Sequence, residues 1–405
     1  MKHKKRKIYL AGVGMGTPGT ITKEVKDAVE SSSCIIGAAR MLEGYVHLEK
    51  EKVNAYRPDE IAAYIGTHQE HQTIAILLSG DAGYYSGAKK LLSVLSQQDY
   101  EVQVLPGISA VAYLAAKCQM SWEDASFVSL HGTKQNFIYE VLHHEKTAIL
   151  LGGQGIAKEV CEKLSAYGLQ ELVLHIGTHL SYENERIQTK KAAEIQPEDL
   201  EGLTVVMIEN PHPQEEVAPH IPDAQFLRGE APMTKEEVRA VCMAKLHLTK
   251  NAVLYDVGAG TGSVSIEAAL QGGDIQVYAI EKKEVAIALL KANQLKFRAD
   301  NITIVAGSAP EALVELPAPT HVFIGGSSGN LPEIVRSVKQ KNPQVQIVLT
   351  AISLETMGEV ERLMKSGVLP EEQVTITQLT VAASKTIGTY HMMMGQNPVF
   401  VVSCS

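Results

Sequence analysis

The sequence predicts an α/β protein of two tandem domains, and three observations predict it. Short apolar runs alternate with helical patterns through both halves, as α/β architecture requires. A strand leads into a glycine-rich turn near residue 12 and again near residue 258. Between them lies Asn210–Pro222, a polar stretch with four prolines, which is neither helix interior nor central strand. Roughly 200 residues stand on each side, an ordinary domain size. The expected boundaries are 1–215 and 221–405.

The second half reads most clearly. Strands are expected at Ala252–Val257, Val277–Ile280, Ile302–Val305, Val322–Ile324 and Ile347–Leu349. Helices are expected at Val264–Leu270, Val285–Phe297, Leu331–Val338 and Leu354–Met364. Val374–Leu379 and Val399–Val402 close the chain as strands with no helix between them. That pair predicts an antiparallel end on a mostly parallel, Rossmann-like sheet. There is no repeat and no low-complexity segment.

Composition narrows the class. Of 405 residues, 45% are hydrophobic and 20% charged, and the net charge is -9. The acidic balance argues against a broad nucleic-acid face. The five cysteines are scattered, never as Cys-x-x-Cys, which argues against disulfides and structural zinc and for a reducing, cytoplasmic setting. The basic start, Lys2–Lys7, is followed by too short an apolar run for a signal peptide, and no run approaches the ~20 residues that span a bilayer. No metal site is expected. His68 and His71 share a spacing but lack a third ligand, so they read as solvated, as do His143 and His144 in a polar loop. Met392–Met394 reads as strand core and Trp122 as a packing residue.

Ala252–Asp256 runs into Gly258-Ala259-Gly260-Thr261-Gly262, and a helix follows. Glycines let the backbone turn tightly and approach a ligand to which helix N–H groups point. Glu281 ends the next strand, roughly twenty residues on, where a carboxylate accepts from ribose hydroxyls. A dinucleotide site wants its third glycine one position later, where Ser263 stands. The turn instead has the methyltransferase form, and S-adenosylmethionine is the expected cofactor.

With these residues the second half resembles the decarboxylating precorrin methyltransferase family of cobalamin biosynthesis. The resemblance spans about Ile221 to Ser405 and rests on separated motifs: Pro232–Arg239, Gly258–Glu267, Gly307–Leu313, Phe323–Gly329, Thr350–Thr356 and Asn397–Val399. It implies that Thr234, Gly258 through Gly262, Glu281 and Ala309 line the cofactor. The family usually has an aspartate where Ser308 stands; the serine reads equally as a helix N-cap ahead of Pro310. Gly325-Gly326-Ser327 follows the fourth strand and would floor the methyl acceptor. Tyr390, His391 and Glu230 are candidates for the acid that delivers the proton needed after decarboxylation. Arg228, Lys235, Arg239 and Lys385 are candidate partners for substrate carboxylates.

In the first half, Lys7–Ala11 leads into Gly12-Val13-Gly14-Met15-Gly16, and two further small-residue junctions follow, Ser79-Gly80-Asp81 and Gly107-Ile108-Ser109-Ala110. Together these resemble the tetrapyrrole methylase family, of the type that methylates a precorrin, over about Ile8 to Pro211. Met15, Thr17 and Ala82 stand where that family usually has proline, aspartate and proline. Carried over by position, Gly12, Gly14, Met15, Gly16, Ser79, Gly80, Asp81, Tyr84, Ser109, Ala110 and Leu151 would contact S-adenosylmethionine.

The two resemblances imply a bifunctional corrin-ring methyltransferase with two cofactor sites per chain, acting at C-5 and C-15 and decarboxylating the C-12 acetate. The substrate would be a tetrapyrrole, free or cobalt-bearing, with no nucleic acid and no membrane, and the chain would be a homo-oligomer. The altered first loop leaves a second reading, in which only the C-terminal methyltransferase is active and the N-terminal domain is regulatory or structural.

Overall fold

The computed structural model describes residues 5–131, 136–214 and 220–405. Residues 215–219 of the proline-rich stretch lie outside the described residues. The described residues form two compact units, 5–131 with 144–213, and 136–143 with 214 and 220–405.

The first unit holds two five-stranded sheets. β1 (Arg6–Gly12), β2 (Cys34–Gly37), β3 (Glu51–Asn54), β4 (Thr73–Leu78) and β5 (Tyr100–Leu105) form an all-parallel sheet in the order β3-β2-β4-β1-β5. Apolar residues such as Ile8, Leu10, Ile36, Ile74 and Ile76 face one side of it, and Ala11, Ile35, Ala75 and Leu77 the other. Both faces are covered, so the strands read as continuous apolar runs. β6 (Ser126–Ser129), β7 (Lys146–Leu151), β8 (Val173–Thr178), β9 (Arg186–Lys191) and β10 (Thr204–Glu209) form a mixed sheet in the order β6-β7-β10-β8-β9. Only its β6–β7 pair is parallel.

The second unit is one seven-stranded sheet and a hairpin. β11 (Val253–Val257), β12 (Gln276–Glu281), β13 (Ile302–Ala306), β14 (His321–Ile324) and β15 (Gln346–Ala351) run parallel, and β16 (Val374–Leu379) and, last in the chain, the strand Val399–Cys404 add an antiparallel edge. The expected antiparallel end is therefore present. Alternate residues separate two cores: Leu254, Val277, Phe323 and Val348 on one face, Tyr255, Ile280, Val322 and Leu349 on the other.

No helix stands between the last two expected strands, as the sequence implied, though the stretch is not empty, and three other expectations are corrected by the fold. The stretch between the last two expected strands holds a further hairpin, β17 (Ala382–Ile387) and β18 (Tyr390–Gly395), turning at Gly388 with φ +62°. Met392–Met394 lie on that hairpin and are exposed rather than core, because both its strands stand off the main sheet. His71 is buried, its Nε2 2.9 Å from Glu51, because it closes the turn into β4. His143 ends a helix, Phe137–His143, with its Nδ1 2.8 Å from the carbonyl of Tyr139. All five cysteines are free. Among the described residues no helix is long and apolar enough to cross a membrane, and no His/Cys/Asp/Glu cluster suits a metal ion.

Candidate functional site

In the second unit the carboxyl ends of β11, β12 and β14 open on one cleft. Such ends, at a topological switch, are where open α/β sheets take ligands. Pro232, Gly258, Gly260, Glu281, Lys282, Lys283, Ser308, Ala309 and Gly325–Ser328 line it, around a cavity of about 170 Å³ that opens to solvent. The turn after β11 holds Gly258, Gly260 and Gly262 at φ +75°, +56° and +80°, a region L side chains avoid. A Cβ on Gly258 would come 2.8 Å from the carbonyl of Gly326, and one on Gly260 would run into the carbonyl of Pro232. The turn is thus pressed between two backbones, which is why it needs glycine.

Glu281 fastens this turn. Its carboxylate accepts from the N–H of Gly260 at 3.0 Å and from Lys282 and Lys283 at 2.8 and 3.0 Å. Asp256, at the end of β11, is wholly buried. One carboxylate oxygen accepts from the Ser265 N–H at 3.1 Å and hydroxyl at 2.5 Å; the other has no partner. Burial pushes its pKa up to about 6. The buried Thr261 hydroxyl beside it is also without a partner. Buried polar atoms normally find hydrogen bonds, but neither of these two lines the cleft; what fits a cofactor there is the glycine backbone, which leaves no room for a Cβ.

The expected residues divide as follows. Gly258, Gly260, Glu281, Ala309, Gly325, Gly326 and Ser327 come together in the cleft; Ala259, Thr261, Gly262 and Thr234 build the turn and its support. Ser308 faces the cleft and is not a helix N-cap: the short turn Glu311–Leu313 starts after Pro310 with no side-chain cap. Tyr390, His391 and Lys385 are exposed on the hairpin, Glu230 is exposed in a loop, and none of them lines the cleft. Arg239 is a clear correction. It is 0% exposed, its Nε 2.6 Å from Glu267 and its Nη1 2.9 Å from Asp223, so it has no reach to a substrate. Arg228 also pairs with Asp223, at 3.1 Å. Sequence reasoning missed Lys282, whose Nζ donates to Ser328 at 3.0 Å between two cleft-lining loops. Its place directly after Glu281 was the available signal.

In the first unit the loops after β1, β4 and β5 meet, because those strands are neighbours in the sheet. Gly14 and Gly80 pair through N–H to carbonyl bonds of 3.1 and 2.6 Å. A Cβ on Gly12 would lie 2.7 Å from the N of Gly107. Asp81 ties the second loop to the third, accepting from Gly83 at 2.8 Å and Gly107 at 2.9 Å. Ser109 caps the helix Ala110–Lys117 by accepting from Ala112 at 3.1 Å. Ser79 accepts from Arg40 at 3.1 Å. Met15 is buried among Val111, Leu114, Ala148 and Val205, with Tyr84 and Ala110 against that cluster. Leu151 is buried at the end of β7. Thr17, where an acid was expected, is hydrogen-bonded to Ser181 and holds the loop rather than a charge. The Tyr84 hydroxyl is buried without a partner, and burial raises its pKa.

Comparison with known proteins separates the same two parts. Residues 225–405 match the family described as Precorrin methyltransferase domain, and residues 7–196 the Tetrapyrrole (Corrin/Porphyrin) Methylases. A probable cobalt-precorrin-6B C(15)-methyltransferase (decarboxylating) from Pyrobaculum calidifontis is 42% identical over 46% of this chain and 95% of its own length. The Salmonella typhi cobalt-precorrin-6B C(15)-methyltransferase (decarboxylating) is 40% identical over 45% of this chain and 94% of its own. A solved structure of precorrin-6y C5,15-methyltransferase from Geobacter metallireducens shares 35% identity, covering 46% of this chain and 96% of that one, with a TM-score of 0.42.

Proposed function

The chain belongs to the precorrin methyltransferase family through residues 225–405 and carries a tetrapyrrole methylase domain at residues 7–196, and from this we propose that it is a bifunctional enzyme of cobalamin biosynthesis. It methylates precorrin-6B, or its cobalt form, at C-5 and C-15 and decarboxylates the C-12 acetate. The domains 1–215 and 221–405 carry one S-adenosylmethionine site each. The observation that carries this reading is the convergence of Gly258–Gly262, Glu281 and Gly325–Ser327 on one cleft in the half that is 42% identical to a decarboxylating relative.

S-adenosylmethionine supplies an electrophilic methyl group, and the chain positions and shields. The glycine turn lets the cofactor lie close against bare backbone, while its own N–H groups at Gly258, Ala259, Gly260 and Gly262 are held by Ile280, Glu281 and Ala259. Glu281, set at the turn by Gly260, offers its carboxylate to the ribose hydroxyls. The floor Gly325-Gly326-Ser327 lets a broad macrocycle lie close to backbone. The acceptor is an electron-rich meso carbon, so no strong base is needed at the methyl step. In-line positioning can supply on the order of 7–11 kcal/mol of the acceleration. Decarboxylation belongs to the same cleft, where the conjugated ring absorbs the electrons left behind. Tyr390, His391 and Glu230 do not line this cleft, whose lining includes the ammonium-bearing Lys282 and Lys283.

In the first unit, Gly12–Gly16, Ser79–Asp81, Tyr84, Ser109, Ala110 and Leu151 form the second cofactor site. Homo-oligomerisation is supported by the exposed hairpin that carries Tyr390 and Met392–Met394. The acidic balance of -9 supports the absence of a nucleic-acid partner, and the free cysteines support a cytoplasmic setting. Mass spectrometry of the product from a precorrin substrate tests the central claim: two methyl groups gained and one carbon dioxide lost. One methyl and the decarboxylation alone would favour a silent first domain.

A further inference from the structure

We propose that an aromatic cluster in the first unit, Tyr84, Tyr85, Phe127 and Trp122, is the docking face for the conjugated macrocycle, with Tyr85 and Trp122 supplying its exposed ring surface. The proposal rests on the reading of this unit as a tetrapyrrole methylase and names where the acceptor sits.

Aromatic residues are scarce in this chain, at 5%, and it has a single tryptophan. Four of them run in one series of edge-to-face contacts. Ring centroids are 5.0 Å apart for Tyr84 and Tyr85, 5.5 Å for Tyr84 and Phe127, and 6.1 Å for Phe127 and Trp122. The inner pair is packed away, but Tyr85 is 49% exposed and Trp122 43%. Leaving such large rings half in water forgoes much of the apolar burial that covering them would give.

The backbone adds a second observation. Tyr85 has φ +45°, in the left-handed region that a bulky residue rarely occupies. Its hydroxyl donates to the carbonyl of Phe127 at 2.8 Å, which fixes the ring against β6. A strained conformation held by a specific bond to keep a ring at the surface points to use of that ring.

Position selects the occupant. Tyr84 and Tyr85 sit on the loop whose start, Gly80-Asp81, is bound to Gly14 and Gly107 of the other two cofactor loops. Tyr84 and Phe127, the inner rings of the series, pack against the same apolar cluster as Met15 and Ala110 of the other two cofactor loops, so the series starts at the expected cofactor site, where the methyl acceptor must lie. Conjugated macrocycles stack on aromatic faces in offset or edge-on geometry. At the head of the same loop Arg40 donates to Ser79 at 3.1 Å, and among the described residues it forms no ion pair with a carboxylate. Its guanidinium is thus available for a carboxylate on the macrocycle rim.

The test uses the full chain saturated with S-adenosylhomocysteine and, as probe, cobyrinic acid, a carboxylated corrin, measured by equilibrium dialysis. Wild type should bind two equivalents. Trp122→Ala should weaken one of them by about tenfold, a stacking-sized loss, and leave the other unchanged. Trp122→Phe should restore most of the affinity, and Trp122→Leu should not. Both S-adenosylhomocysteine sites should persist in every variant, which shows that the fold survives. Unchanged corrin binding in Trp122→Ala overturns the proposal while the functional reading stands, as does full rescue by leucine. Trp122 fluorescence that shifts with protein concentration before any corrin is added assigns the face to a second copy and also overturns it. Wild type that binds no corrin at all sinks the functional reading together with the proposal.

Discussion

Removing Glu267 should destabilise the second unit far more than removing any of its exposed carboxylates. Arg239 and Glu267 are 0% and 4% exposed at their side chains, with Nε to carboxylate at 2.6 Å. Arg239 also reaches Asp223 and the carbonyls of Thr234 and Ile221, and lies 4.9 Å over the ring of Phe226. Glu267 in turn accepts from the Ile221 N–H at 3.1 Å. Glu267→Ala leaves Arg239 with Asp223 alone, a more exposed partner, and strands the Ile221 N–H. Breaking a buried pair in this way costs about 3–5 kcal/mol. For a domain near 190 residues each kcal/mol moves Tm by ~2–4 °C, so the shift should be ~6–20 °C. Scanning calorimetry of the full chain should show one transition falling by that amount while the other holds. The pair also pins residues 221–234, which bring Pro232 against Gly260, so affinity for S-adenosylhomocysteine should fall with it. The double change Arg239→Met with Glu267→Leu removes both charges and should recover most of the loss. A Glu267→Ala chain within ~1 kcal/mol of wild type would refute the account of Arg239 as a buried brace.

Other expectations are independent of that one. Gly326→Leu should fold and bind S-adenosylhomocysteine, since a Cβ there meets nothing within 4 Å, yet lose the second methylation and the decarboxylation; wild-type decarboxylation would remove the macrocycle from this loop. Calorimetry with S-adenosylhomocysteine should give two sites per chain, and Gly260→Val, strained at φ +56°, should erase one of them; a stoichiometry of one that this change abolishes would mean a silent first domain. Asp256, with its pKa pushed up to about 6 from 3.8, keeps its proton in the folded chain where the unfolded chain has lost it, so its contribution to stability falls as pH rises through 6. Asp256→Asn lacks that loss, and its stability relative to wild type should improve by up to ~3 kcal/mol between pH 4 and pH 7 in denaturant titrations; a flat difference would mean an ordinary carboxylate. Light scattering should give a mass above the 43.9 kDa of one chain, and Met393→Lys should lower it; a monomer would leave the exposed hairpin unexplained.

How far these features were legible from sequence depended on how local their causes are. The turn at Gly258–Gly262 was legible because its demand is local: three residues at positive φ, within a strand-turn-helix segment. Glu281 was equally legible, since strand periodicity places it one βαβ unit later, at the mouth of the same cleft. Arg239 was not. An arginine near the expected cofactor motif suits substrate carboxylates as well as a buried brace, and the partners that decide between them, Asp223 and Glu267, lie 16 and 28 residues away in the chain. The same limit hid His71, whose burial depends on Glu51 across a sheet edge.

The hairpin of β17 and β18 failed for another reason. Its residues alternate little and face water on both sides, so periodicity had no core face to report. Met392–Met394 looked like core because apolar composition was read without a partner surface. In both kinds of miss the residue type was sound evidence and the neighbour was unknown. The cleft was legible because its motifs are set by backbone, whose neighbours are fixed by chain order. The side chains that support it or extend beyond it, from Arg239 to Trp122, take their roles from neighbours that chain order does not carry. Testing the cleft therefore calls for changes at glycines, where backbone approach is the whole effect. Testing the support calls for paired changes, because a single deletion measures the stranded partner as much as the interaction it removes.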